Sequence, residues 1–281
     1  MKHIILLLSL IVLAFNINAQ KNVAKPDEIK AFFKTKTLVV LDESPFAEYN
    51  MVIKEAVKKS WKLTEFDFIN SNEYEQKRKD PQYSFLTIDK VYFEKDKTKA
   101  QYEFLCLSLG GKYKTESDMP QLCTVPLSYY GVDEETYTYK IPTLVNFIQN
   151  HVLLTSQNKE LNSGNIISYY NKNLKSVKNK TFYVLKDELG PNVNTESKIK
   201  KVYPYKFKIA TREEIEEAVK NENDNVVFLH KIGPEGTKKK ARCYNLILGA
   251  KDAKLYYFEY HMINSKKPDG FTIKDFKKLA K

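Results

Sequence analysis

An internal repeat constrains the fold of this 281-residue chain more than any other feature of its sequence. The segment KTLVVL at 36–41 matches KTFYVL at 180–185, YSFL at 83–86 matches VVFL at 226–229, and LSLG at 107–110 matches LILG at 246–249. The matches are separated by 144, 143 and 139 residues and follow the same order. This pattern indicates a tandem duplication in which loops of unequal length join equivalent elements.

Each copy alternates predicted strands with predicted helices. In the first copy, apolar and β-branched runs predict strands at 37–41, 63–69, 83–88, 101–109 and 122–129. Helices separate the early strands, which should therefore be parallel, whereas the last strands follow one another directly and should be antiparallel. The predicted fold class is α/β (α+β): a tandem duplication of a mixed-sheet unit of about five strands with flanking helices.

The N-terminus is typical of a secretory signal peptide. Lys2 supplies positive charge, the run from Ile4 to Phe15 is apolar apart from Ser9, and Ala19 is a small residue at the expected cleavage site. The apolar run is shorter than the roughly 20 residues that a membrane span needs. We therefore expect a signal peptide at 1–19, export to the periplasm, envelope or extracellular space, and no transmembrane segment after cleavage.

The remaining chain divides at one polar stretch. The segment TSQNKELNS at 155–163 lacks the apolar spacing of the elements on either side. We expect a first α/β unit at 20–154, a linker at 155–163 and a second α/β unit at 164–281.

The chain is basic, with a formal net charge of +11. Long-range attraction favours anionic partners, so the candidates are an anionic polymer, a lipid headgroup or an acidic protein. Nucleic acid is not expected as the partner of an exported protein. The alternative is that scattered lysines serve solubility alone.

The order of elements resembles that of small periplasmic α/β units of the TolB N-terminal-domain type. The strand at 37–41, a helix, the strand at 66–69, a short capped helix and the strand at 83–88 carry this resemblance, which covers about 70 residues of each copy. The resemblance implies a periplasmic α/β unit and transfers no functional residue. The β-propeller repeats that accompany such domains are absent from the sequence.

Motif searches identify no catalytic residue. The sequence has no glycine-rich phosphate loop, nucleophile elbow, HExxH or CxxC motif. His151, His230 and His261 lie in separate predicted elements, so we expect neither a metal site nor a cofactor. The catalytic residues are therefore unknown, and the chain is interpreted as a non-enzyme rather than an enzyme.

Two groups of residues are candidates for ligand binding. The pairs Asp42-Glu43 and Asp187-Glu188 each follow the first strand of a copy, at the sheet edge where α/β proteins usually bind ligands. Four tyrosines that suit glycan or protein surfaces flank a predicted loop: Tyr129, Tyr130, Tyr137 and Tyr139. The alternatives are that the acidic residues only end strands and that the tyrosines pack in the core.

Three cysteines allow one intramolecular disulfide. Cys106 and Cys123 lie on consecutive strands of one predicted hairpin, so we consider a bridge between them. Cys243 has no evident partner.

Two functions from different classes agree with these features. The first is an exported, non-catalytic envelope or secreted protein that binds a partner. The alternative is a hydrolase of an extracellular polymer or peptide, in which carboxylates such as Asp42, Glu43, Asp187 and Glu188 act as acid and base.

Overall fold

A computed structural model describes residues 22–163, 165–235 and 240–281. The predicted signal peptide at 1–19 lies outside these residues. In the first copy the helices are α1 (Pro26–Phe32), α2 (Glu48–Ser60), α3 (Ser71–Lys77) and α4 (Ile141–Gln157), and the strands are β1 (Lys36–Val40), β2 (Glu65–Ile69), β3 (Tyr83–Tyr92), β4 (Gln101–Leu109) and β5 (Gln121–Tyr129).

The second copy repeats this succession with shorter helices. Its elements are α5 (Ile166–Asn171), β6 (Thr181–Leu185), α6 (Glu196–Lys200), β7 (Phe207–Ala210), α7 (Arg212–Lys220), β8 (Val226–Ile232), β9 (Arg242–Gly249), β10 (Leu255–Met262) and α8 (Ile273–Leu279). Helix α5 is followed directly by a 3₁₀ helix over Lys172–Asn179.

The two copies form five-stranded sheets with the same strand order. The order is β2-β1-β3-β4-β5 in the first sheet and β7-β6-β8-β9-β10 in the second. In each sheet the first three strands are parallel, and the last two add in antiparallel fashion. The predicted fold class is therefore confirmed: a mixed-sheet α/β unit occurs twice, as a tandem duplication requires.

Strand pairing defines which positions of the two copies are equivalent. Thr37 pairs with Ser84, and Phe182 pairs with Val227. Ser84 in turn pairs with Leu109, and Val227 pairs with Gly249. The equivalent separations are 182 − 37 = 145, 227 − 84 = 143 and 249 − 109 = 140. Two of the three sequence matches are thus displaced by one residue, because similar apolar runs can be aligned in neighbouring registers.

Equivalent capping boxes begin α3 and α7. The Asn70 side chain accepts a hydrogen bond from the Glu73 backbone N–H, and the Glu73 carboxylate accepts one from the Asn70 N–H. Thr211 and Glu214 repeat this exchange at the start of α7. Each box satisfies backbone donors that a helix start would otherwise leave unpaired.

Helix α4 links the copies through a shared core. Pro142 stands in its first turn, and buried residues such as Leu144, Ile148 and Val152 belong to one hydrophobic cluster with Phe228 and Leu246 of the second copy. The predicted linker at 155–163 begins inside α4 and continues as a 3₁₀ helix over Lys159–Ser163. The domain boundary at this segment stays a prediction.

The cores of the two copies differ in chemistry at equivalent positions. In the first copy, the buried hydroxyls of Thr35 and Thr37 each lie 2.8 Å from Ser84 Oγ. In the second copy, Phe182 takes the place of Thr37 and its ring lies 5.5 Å from that of Phe271. One sheet therefore carries a hydroxyl cluster where the other carries an aromatic cluster.

Arg242 joins the copies at the start of β9. Its guanidinium binds both carboxylate oxygens of Asp96, at 2.6 and 3.0 Å, and lies 3.5 Å from the centre of the Phe93 ring. The Tyr102 hydroxyl accepts a hydrogen bond from the Arg242 backbone N–H at 2.5 Å. This planar, bidentate arrangement fixes the relative position of the two sheets at one end of their contact.

The structure corrects the predicted disulfide. All three cysteines are free and buried. Cys106 lies opposite Thr124, whereas Cys123 lies opposite Leu107. Since successive side chains of a strand point to opposite faces of the sheet, the thiols of Cys106 and Cys123 lie on opposite faces and cannot bridge.

None of the helices within the described residues is both long and apolar enough to cross a lipid bilayer.

Candidate functional site at the junction of the two copies

A cavity of about 210 Å³ lies where the two copies meet. The first copy contributes the end of β5 and the loop after it, at residues 127–129, 132, 136 and 137. The second contributes the ends of β6 and β8 and the start of α7, at residues 185, 187, 188, 212, 231–233 and 235. We call this cavity the junction pocket.

The strand order explains why a pocket forms here. From β6 the chain crosses to β7 on one side, and from β7 it returns to β8 on the other side of β6. The loops that leave β6 and β8 therefore diverge and leave a crevice at the carboxyl ends of these parallel strands. Such switch points are the usual ligand sites of open α/β sheets.

Glu188 is buried in the wall of the junction pocket. Its Oε1 lies 2.6 Å from Lys140 Nζ, and only 9% of the Glu188 side chain and 1% of the Lys140 side chain are exposed. Its Oε2 is buried without a hydrogen-bond partner among the residues that the structure describes. A buried carboxylate oxygen in a pocket wall can accept a hydrogen bond from a ligand.

Lys140 supplies the charge that this carboxylate needs. Burial, the largest single influence, would lower the pKa of Lys140, but the attraction and hydrogen bonds of Glu188 and Tyr139 together outweigh burial and hold the pKa above its ordinary value. Lys140 Nζ also lies 5.1 Å from the centre of the Tyr139 ring. The ammonium is therefore charged and held in place behind the pocket.

A second buried ion pair joins Lys231 of the pocket lining to Asp269. Lys231 Nζ lies 2.6 Å from Asp269 Oδ2, with side-chain exposures of 4% and 13%. Gly233 lies directly against this pair, since a Cβ at Gly233 would come within 2.2 Å of Asp269 Oδ1. Only glycine permits this close approach between the backbone after β8 and the carboxylate.

Charged groups surround the pocket mouth. Arg212, at the first position of α7, lies 3.4 Å from Glu135 and 4.0 Å from Asp187. Glu235 is an exposed residue of the same rim, and partial desolvation of its carboxyl raises its pKa, while the neighbouring positive charges of Lys231 and Arg212 oppose that rise. The mouth therefore offers both a guanidinium and carboxylates to a bound molecule.

Four of the eight residues that the sequence selects line this pocket: Asp187, Glu188, Tyr129 and Tyr137. Tyr137 is buried and Tyr129 is half-buried, and burial raises the pKa of both hydroxyls. Tyr139 is half-buried beside Lys140, and burial raises its pKa to about 12. Tyr130 is exposed, with its ring centre 4.8 Å from Lys90 Nζ.

The remaining pair, Asp42 and Glu43, lies apart from the pocket in the loop after β1. Asp42 Oδ1 accepts a hydrogen bond from the Ser44 N–H, and Glu43 Oε1 accepts one from the Ser71 hydroxyl. Asp42 and Asp187 are separated by 145 residues, as are Glu43 and Glu188, which is the separation that strand pairing gives for β1 and β6. Equivalent residues therefore lie in a surface loop of one copy and in the junction pocket of the other.

Sequence reasoning missed the positive charges of the site. Arg212 follows the capping residue Thr211 at the same sheet edge as Asp187. The expectation that ligands bind at the carboxyl ends of parallel strands, which selected Asp187, could therefore also have selected Arg212. Lys140 gives no such signal, because it lies in a 3₁₀ turn 48 residues from Glu188 along the chain. No group of three or more histidine, cysteine or acidic side chains at residues 22–163, 165–235 and 240–281 is arranged to hold a metal ion.

Comparison of the chain with protein-family models, with curated proteins and with solved structures gives no match. The resemblance to TolB-type N-terminal units therefore stays a prediction, and the junction pocket is the basis on which a function is proposed.

Proposed function

We propose that the chain is an exported, non-catalytic binding protein that holds a small polar ligand in the junction pocket. The observation that carries this proposal is that Glu188, a residue of the pocket wall, has a buried Oε2 without a hydrogen-bond partner among the described residues. Leaving such a group unpaired costs about 1–3 kcal/mol or more when it is charged. A ligand that donates a hydrogen bond to it would remove this cost.

The chemistry of the pocket defines the ligand class. A carboxylate oxygen can only accept hydrogen bonds, so the ligand presents an ammonium, amide or hydroxyl donor to Glu188. Arg212 at the mouth can in turn donate to an acceptor at the other end of the ligand. A volume of about 210 Å³ suits a small molecule or the end of a chain rather than a folded domain.

Export forms the second part of the proposal. It rests on the charged start, apolar run and small residue at 1–19. N-terminal sequencing of the protein recovered from outside the cytoplasm tests it: we expect the chain to start at or near Gln20, whereas a retained leader would contradict export by this route.

A thermal-shift screen tests the pocket. Wild-type protein is mixed with single probes, such as amino acids, ethanolamine and monosaccharides, and we expect at least one to raise the melting temperature. Val132→Trp, which fills the pocket from a half-buried lining position, should abolish that shift. Val23→Trp adds the same bulk at an exposed valine and should leave the shift intact.

Two results would contradict the binding proposal. One is that Val132→Trp keeps the whole shift, which would place the probe elsewhere. The other is that none of the probes raises the melting temperature of the wild-type protein. Circular dichroism of each variant without probe shows whether it has folded.

The hydrolase alternative is favoured by one observation. Glu235 shares the pocket rim with Asp187, and its pKa is raised, which is the direction that a general acid needs. Asp42 and Glu43 lie outside the junction pocket and would play no part. The test is turnover of oligosaccharides or peptides: activity lost in Glu235→Gln but kept in Glu43→Gln would support the hydrolase, and absence of turnover would oppose it.

A further inference from the structure

We propose that a groove in the second copy, distinct from the junction pocket, binds an acidic polysaccharide. The groove has a volume of about 700 Å³ and lies between the end of β10, the loop at 264–268, helix α8 and the segment 190–193. We call it the lysine groove. Unlike the junction pocket, it is formed by the second copy alone.

Six lysines line the groove: Lys266, Lys267, Lys274, Lys277, Lys278 and Lys281. Glu259 and Asp275 are the acidic residues of the lining, so its formal charge is 6 − 2 = +4. Lys278 is half-buried and pairs with Glu259, whereas the other five lysines are exposed. Such a concentration of one sign of charge in a concave surface attracts a polyanion over a long range.

The two acidic side chains are engaged within the fold and do not oppose an anion freely. The Asp275 carboxylate accepts hydrogen bonds from the Tyr257 hydroxyl at 2.8 Å and from the Thr272 hydroxyl at 2.6 Å. Glu259 is held by Lys278. The five exposed ammonium groups therefore dominate the electrostatics of the groove.

The wall that carries two of these lysines is ordered by local hydrogen bonds. Asn264 Oδ1 accepts from the backbone N–H groups of Lys266 and Lys267, at 2.9 and 3.0 Å. His261 Nε2 donates to the Pro268 carbonyl at 2.8 Å, which ties the end of the loop to β10. The loop thus presents its ammonium groups from a fixed backbone and loses little entropy when a ligand binds.

The lining favours a polymer that combines carboxylates with apolar ring faces, as an acidic polysaccharide does, over other polyanions. It includes no Trp, Tyr, Phe or Arg, the side chains on which single-stranded nucleic acids stack. The exposed large apolar side chains among the described residues, such as Phe46, Met51 and Tyr130, lie outside it, so it lacks the apolar anchors that membrane or protein contacts use. Lysine stems and the half-buried Ile273 can cover sugar rings, while the ammonium groups pair with the carboxylates of the polymer.

The test is binding of polygalacturonate, with neutral dextran as the uncharged polymer. We compare wild type with the groove variant K274Q/K277Q/K281Q and with the control K59Q/K62Q/K79Q, which removes three exposed lysines elsewhere. We expect the wild type to bind polygalacturonate but not dextran, and its affinity to fall as salt rises. The groove variant should bind at least about tenfold more weakly, and the control within about twofold of wild type.

Three results would overturn the proposal. If both triple variants lose the same affinity, net charge rather than the groove attracts the polymer. If the groove variant binds as well as wild type, the polymer lies elsewhere. If phosphatidylglycerol vesicles or a single-stranded oligonucleotide bind through the groove more tightly than polygalacturonate, the partner belongs to another class. Melting temperatures of both variants confirm that they are folded.

Discussion

The two copies share a strand order but have diverged in what they bury. The first keeps hydroxyls inside, with Thr37 and Ser84 hydrogen-bonded to each other. The second places Phe182 and Val227 at the same positions, within an apolar cluster. The same sheet order therefore tolerates either solution, provided that the buried hydroxyls find hydrogen-bond partners.

A second difference concerns the carboxylates after the first strand of each copy. Glu43 is exposed and bonds to a surface serine, whereas Glu188 is buried against Lys140. Duplication placed the same residue pair at two equivalent edges, but only the second edge faces the other copy. Of the two equivalent acidic pairs, only the pair in the second copy therefore lines the junction pocket.

The largest expected effect comes from the buried ion pair that joins the copies, compared with an exposed ion pair inside the first copy. Lys140→Met leaves Glu188 as an unpaired buried charge and should lower the free energy of unfolding by about 3–5 kcal/mol. Lys36→Met breaks the exposed Lys36–Asp67 pair of the first copy and should cost less than about 1 kcal/mol. Urea unfolding measures both losses of stability. Equal losses would contradict the expected difference between the buried pair and the exposed pair.

A double substitution separates the effect of charge from the effect of packing. Lys140→Met with Glu188→Leu removes both charges, so stability should recover most of what Lys140→Met loses. A double variant as unstable as the single one would mean that packing, and not charge, decides the effect.

Exchanging core chemistry should produce the next largest effect. Val227→Ser places a hydroxyl in the apolar cluster of the second copy and should cost about 2–3 kcal/mol, from lost packing and an unpaired polar group. Ser84→Val should cost only about 1 kcal/mol, because Thr35 and Thr37 keep other hydrogen-bond partners. Urea unfolding that gives the reverse order would contradict the assignment of equivalent positions.

The last effect concerns the pH dependence of stability over the narrow range from pH 7 to pH 5. His230 is buried beside the junction, where Nε2 donates to the Pro126 carbonyl, and burial lowers its pKa to about 3. Because the unfolded histidine has a pKa of about 6.5, the stability that His230 contributes is complete above pH 6.5. It is lost as pH falls towards 3, by up to about 1.4 kcal/mol per pH unit.

His230→Gln can keep the hydrogen bond to Pro126 but does not titrate, so its stability should fall less steeply between pH 7 and pH 5. His261→Gln is the matched control, since His261 also donates to a proline carbonyl but from a half-buried position. Urea unfolding at three pH values measures the slopes. A slope for His230→Gln equal to that of wild type would show that His230 does not link stability to pH.

The fold could be predicted to the extent that its signals are local. Alternating apolar residues located the strands. The capping boxes at Asn70–Glu73 and Thr211–Glu214 are local in the same sense, because each depends on two residues three positions apart in the sequence. The Cys106–Cys123 bridge was wrong because it depends on the register of β4 against β5, which decides the sheet face of each thiol.

The site was predicted only in part, for a related reason. Asp187 and Glu188 could be selected because strand ends are visible in a sequence. Their partners could not, since Lys140 reaches Glu188 only after the second copy packs beside α4. Contacts between copies depend on tertiary packing, which the pattern within each copy does not specify.

We propose that the carboxylates of the second copy, and not their equivalents in the first, form the binding site. The direct test is the dissociation constant of the probe that the thermal-shift screen identifies. It is measured for the second-copy variants Glu188→Gln and Asp187→Asn and for the first-copy variants Glu43→Gln and Asp42→Asn. Asp187→Asn remains informative even if Glu188→Gln fails to fold. We expect binding about tenfold or more weaker for the second-copy variants, as loss of a charged hydrogen-bond partner implies. The first-copy variants should bind as wild type does. Equal weakening in both copies, or weakening confined to the first, would contradict the account.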